Sequence, residues 1–122
     1  MDNLDQFRAD NALIACGIRQ PAAGRATPQR VAEQAVTKLP ALIVNNGLLA
    51  AAAFAQKKGE GLLHAMDAVA WHLADNRIGR LPPNCVNTQT MTQHLVGSDS
   101  QTLRLATAEA LAFLSFLKRY AP

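Results

Sequence analysis

The sequence predicts an all-α fold: a compact single-domain bundle of five or six helices built from residues 1–122. Three observations lead there. Alanine and leucine dominate a composition that is 49% apolar. Valine, isoleucine and the aromatic residues never alternate with polar ones over a strand-length window. Glycine- and proline-containing stretches then divide the chain into segments of helical length. A chain of 122 residues is the length of one domain, and its apolar content suffices for a buried core.

The first helix is expected over residues 3–16, with Leu4, Phe7, Leu13 and Ile14 on its apolar side and Gly17 as a left-handed cap. The stretch IRQPAAGRAT reads as a loop. Thr27-Pro28 then predicts a helix start, because threonine caps and proline suits the first helical position. Val31, Ala35, Val36 and Leu39 follow at helical spacing. Pro40 lacks an amide hydrogen and restricts Leu39, which predicts a break there and a second helix resuming at once. That helix carries Leu42, Ile43, Leu48, Leu49 and Phe54 and ends at Lys57-Lys58-Gly59. Gly47 in its middle costs about 1 kcal/mol relative to alanine and marks a close packing contact or a local irregularity.

Leu62, Met66, Val69 and Leu73 define a narrow stripe on a helix over residues 61–76, with Trp71 on nearly the opposite side. A short helical piece is expected over 88–95. The last helix opens at Ser98, with Gln101 at capping-box spacing, and runs to Tyr120. It is apolar on two sides, through Leu103, Ala106, Ala110, Phe113, Leu114 and Leu117, and through Leu105, Ala112 and Phe116. Such a helix must be sandwiched within the bundle or against another molecule.

Several function classes find no support. Residues 39–56 carry no charge, but Pro40, Asn45-Asn46-Gly47 and a run of alanines make them a buried core helix rather than a membrane span. The opening residues Met1–Asp5 are acidic and lack the apolar run of a secretory signal. Cys16 and Cys85 stand alone, without a CxxC, and read as small buried residues in a reduced, cytoplasmic compartment. His64 with Asp67 and His72 with Asp75 share an i, i+3 spacing. His64 and His72 are two turns apart, about 12 Å, so one ion cannot be held by both, and the pairs read as solvated surface groups. No nucleophile elbow, phosphate loop, zinc-protease motif or dinucleotide fingerprint occurs. The expectation is a protein that is not an enzyme and uses no cofactor or metal.

The positive charges are more informative. Twelve Lys and Arg against nine Asp and Glu give a net +3. Arg19, Arg25 and Arg30 fall in a stretch without acids, as do Arg77 and Arg80, while Lys57 and Lys58 close a helix. If they converge, they form a track for a phosphate backbone; ordinary solvated charges remain the alternative. Trp71 is either a core contact or an interface anchor. A helix-turn-helix around Pro40 fails, because Leu48–Ala55 is almost purely apolar where a reading helix needs polar side chains.

LPALIVNNGLLAAAAFAQKKGEG, residues 39–61, and LRLATAEALAFLSFLKRYA, residues 103–121, together resemble the small all-helical subunit of the type III-B CRISPR effector, the Cmr RNA-guided ribonucleoprotein. The resemblance extends from about Gln29 onward. It departs at Leu103 and Phe116, where family members often carry tyrosine and tryptophan. It implies a non-catalytic subunit of an antiviral complex. Several copies stack beside larger subunits that hold the crRNA, and a basic groove accommodates the target RNA. Base pairing reads the sequence in such complexes, so no base-reading side chains are required. On this reading Lys57, Lys58, Arg77 and Arg80 are the first RNA-facing group and Arg19, Arg25 and Arg30 the second. Trp71, Phe116, Lys118 and Arg119 are then the subunit-interface candidates. The alternative function is a helical adaptor that binds protein alone.

Overall fold

The computed structural model describes residues 3–121, so Met1 and Asp2 of the acidic opening stretch, and Pro122, lie outside the described residues. Six helices follow in order: α1 (Leu4–Ala15), α2 (Glu33–Asn46), α3 (Leu48–Lys58), α4 (Glu60–Leu73), α5 (Thr88–Val96) and α6 (Ser100–Tyr120). Among the described residues there is no strand, and no helix is long and apolar enough to cross a membrane. The fold is all-α.

Local chemistry sets most of the ends. Asn3 caps α1, its side chain accepting from the Gln6 amide while Gln6 reaches back to the Asn3 amide. The other end closes as expected at Gly17 (φ 77°), with Ile18 N donating to Leu13 O and Gly17 N to Ile14 O. These two bonds satisfy carbonyls that the helix itself leaves unpaired.

Three boundaries differ from expectation. Thr27-Pro28 does not start a helix; α2 begins at Glu33. The chain before it is held instead by tertiary contacts, with Val31 buried and its amide donating to Ala15 O at 3.2 Å. Pro40 lies inside α2 rather than breaking it. The buried stripe Ala35, Val36, Leu39, Ile43 runs through the proline, and Pro40 faces a groove shared with Leu111, Leu114 and Lys118 of α6. Continuous burial on both sides of the proline offsets the missing hydrogen bond. The break falls at Gly47 (φ 89°, ψ 162°), a backbone conformation open essentially to glycine alone. At α6 the cap is Asp99, which accepts from Thr102 N; Ser98 serves the preceding helix, donating to His94 O.

The core is built from small and medium side chains. Ala51, Ala52 and Ala55 of α3 and Ala65, Ala68 and Ala70 of α4 are buried, as are Leu39, Ile43, Met66, Leu73, Met91 and Leu95. The expected sandwiching of α6 occurs within the chain: α1, α2 and α4 all pack on it, burying Ala106, Ala110, Phe113, Leu114 and Leu117. Leu105, on its second apolar side, stays 39% exposed.

Candidate nucleic-acid interface

The cations divide into those engaged by carboxylates and those left open. A polar network joins α1, α4 and α6. Arg8 donates through Nε and Nη2 to the two oxygens of Glu109 at 2.8 and 2.7 Å, and through Nη1 to Asp5 at 2.7 Å. Arg19 pairs with Asp10, Arg77 with Asp10 and Asp75, and Arg25 with Asp75. Four arginines face four carboxylates, so their charges cancel. The whole net charge of +3 therefore rests on the remaining side chains.

Inside the network the proton positions follow from geometry. Asn11 Oδ1 accepts from Arg25 Nη1 at 2.8 Å and from Arg77 Nη2 at 3.2 Å, and arginine can only donate. The Asn11 amide nitrogen must therefore face His72 Nδ1, 2.8 Å away, and donate to it. His72 is then the Nε2–H tautomer, donating to Glu109 Oε2 at 2.9 Å. Burial pushes the His72 pKa down despite the neighbouring Glu109, which keeps the ring neutral. Burial alone would raise the Glu109 carboxyl, but hydrogen bonds from Arg8 and His72, with the charge of Arg8, hold it at about 2. Asp75 is likewise held at about 2, with the bonds from Arg77 and Asn11 overcoming burial.

These contacts revise several expectations. Arg19 and Arg25 lie in an acid-free stretch of sequence, yet the fold brings Asp10 and Asp75 to them, while Arg77 pairs with Asp75 just before its own stretch and gains Asp10 from α1. His72 is not a solvated surface group; it is fully buried and stacked on Phe113, 4.1 Å between ring centres. Its partners are Asn11 and Glu109, whereas Asp67 accepts from Thr88 N and Oγ1 at the start of α5. Trp71 is no open interface anchor. It is 3% exposed, covered by the chain's own loop, with Nε1 donating to Ala26 O and the Arg25 guanidinium 3.9 Å above its ring. Cys16 and Cys85 are buried free thiols, with desolvation raising both pKa values. Among the described residues no three His, Cys, Asp or Glu side chains gather where they could hold a metal ion.

The remaining cations have different surroundings. Lys57, Lys58 and Arg30 are exposed and Arg80 is half-buried, and none has a carboxylate within 4.0 Å among the described residues. They do not form one cluster. Lys57 and Lys58 precede α4 and Arg77 and Arg80 follow it, so its 14 residues separate the pairs by about 20 Å. Lys58 instead shares a groove with Lys38 of α2, which is absent from the cations that the sequence singles out. Its signal was present: Lys38 falls off the buried Ala35, Val36, Leu39, Ile43 stripe and must face outward. Glu60 lines the same groove. Lys118 and Arg119 line a second groove at Pro40, so α2 contributes to both. Phe116, packed against the core, carries the Arg119 guanidinium 5.4 Å from its ring.

A small helical bundle whose surplus positive charge lies outside its internally neutral network is the class of protein that fold and surface define. The family described as CRISPR-associated protein (Cas_Cmr5) matches residues 22–122, and the chain belongs to it. No curated protein and no solved structure matches the chain. Helix α1 lies outside the matched residues, yet it supplies Arg8, Asp10 and Asn11 to the network.

Proposed function

We propose that this chain is a non-catalytic, RNA-facing subunit of a Cmr-type effector, stacked in several copies and contributing cations to the path of crRNA-paired target RNA in antiviral defence. Membership of the Cmr-associated family carries the reading, and the placement of surplus charge outside the neutral network supports it. Lys57 and Lys58, with Lys38 beside them, are the proposed phosphate contacts, and Lys118 and Arg119 lie on the other side of α2. Arg30 and Arg80, outside both grooves, are further proposed contacts. Arg19, Arg25 and Arg77 act chiefly as structural ion pairs.

The test is target-RNA capture by the assembled complex. Replacing Lys57 and Lys58 together by glutamate should weaken capture and lower the salt slope by roughly 0.7 to 0.9 for each phosphate that is no longer neutralised. Far-UV circular dichroism should stay unchanged, since both side chains are exposed. Unchanged capture at low salt refutes the assignment. The protein-only adaptor is favoured by one observation, the 39% exposure of Leu105. On that reading Leu105→Asp blocks assembly while the lysine reversals leave it intact.

A further inference from the structure

Phe54 is an aromatic ring left without a partner. Arg77 covers Phe7 at 4.7 Å, Arg119 covers Phe116 at 5.4 Å, Arg25 covers Trp71 at 3.9 Å, and Phe113 stacks on His72. Of the four phenylalanines and the tryptophan, all among the described residues, Phe54 alone has no such neighbour, and it is 45% exposed. Its exposure follows from helical geometry. The buried stripe of α3 is Leu48, Ala51, Ala52 and Ala55, and Phe54 sits roughly 100° around the helix from it. Lys57 and Lys58 come three and four residues later, so both begin one turn along the same side. Two full positive charges outweigh the roughly half negative charge at the C-terminal end of a helix. Lys38 adds a third across the groove, against Glu60.

We infer that Phe54 is a stacking platform for an unpaired RNA base, with Lys57 and Lys58 taking the flanking phosphates. The inference rests on the RNA-facing reading above and adds the ring to it. An acidic protein surface would satisfy the lysines but make no use of the π face, whereas a nucleotide strand presents stacking faces and phosphates together. A fully paired duplex hides its base faces, so the occupant is a single-stranded stretch or an extruded nucleotide.

The experiment uses the full chain and a single-stranded RNA carrying 2-aminopurine, read by fluorescence quenching and by anisotropy over a salt series. Wild type should quench the probe, and Phe54→Ala should bind about 5- to 20-fold more weakly, the low end of the stacking range because the ring is half-buried. Its salt slope should not change, Phe54→Leu should fail to restore quenching, and Phe54→Trp should restore it. The Lys57→Glu/Lys58→Glu variant should show the opposite pattern, a smaller slope. If Phe54→Ala binds and quenches like wild type while the lysine variant weakens binding, stacking is overturned and the basic contact stands. If neither variant has an effect, the RNA-facing reading itself fails at these residues. Absence of quenching by the wild type at low salt also overturns the proposal.

Discussion

Glu109→Gln tests the buried network most directly. Glu109 accepts two hydrogen bonds from Arg8 and one from His72, and its carboxyl is held at about 2 against an ordinary value of 4.5. A folded-state pKa lowered in this way stabilises the fold fully above the unfolded value. That contribution is lost as pH falls from about 4.5 toward about 2. The difference, at about 1.4 kcal/mol per pH unit, corresponds to roughly 3 kcal/mol. His72 acts in the same direction from higher pH. It is buried neutral with a lowered pKa, so the unfolded chain takes up a proton first, as pH falls through its ordinary 6.5. Urea denaturation followed by circular dichroism between pH 7 and pH 3 separates the two. Wild type should lose stability in two stages, a shallow one below 6.5 and a steep one below 4.5. Glu109→Gln should be about 3 kcal/mol less stable at pH 7, with the steep stage flattened. Parallel wild-type and variant profiles would refute the argument that Arg8 and His72 depress this carboxyl.

Gly47→Ala should cost about 1–3 kcal/mol, since a side chain meets nothing within 4 Å and the penalty comes from φ 89° alone; unchanged thermal unfolding would place the α2–α3 break elsewhere. Phe113→Ala should cost about 3–5 kcal/mol, because the ring is fully buried, and should also strip the stacking face from His72. A loss under about 1 kcal/mol in denaturant titration would show that the core collapses to fill the space.

The elements that sequence reading placed correctly rest on local chemistry. Gly17 and Gly59 close their helices with positive φ, and the last helix ends at Tyr120 as expected. Its errors share a cause. Thr27-Pro28 carries a sound capping signal, but the buried Val31 and its bond to Ala15 O decide the backbone there. Pro40 carries a sound breaking signal, but apolar burial on either side of it holds the helix together. The candidate site divides in the same way. Lys57 and Lys58 are exposed because of their own helical phase, which the sequence contains. Arg25 looks unpaired in sequence, but Asp75 comes to it from another part of the chain, and Arg77, paired locally with Asp75 two residues before it, gains Asp10 in the same way.

What the sequence determines by itself is therefore the helical content, most termini and the outward position of the α3 lysines, all consequences of interactions within about four residues. Beyond the local pairs Asp5–Arg8 and Asp75–Arg77, the tertiary structure decides which charges are cancelled. Arg8 and Glu109 are 101 residues apart, and no local pattern links them. Neutralisation depends on distance in space, falling steeply beyond a few ångströms, and the packing of α1 against α6 sets the distance between Arg8 and Glu109. The same packing gave most aromatic rings a partner and left Phe54 without one.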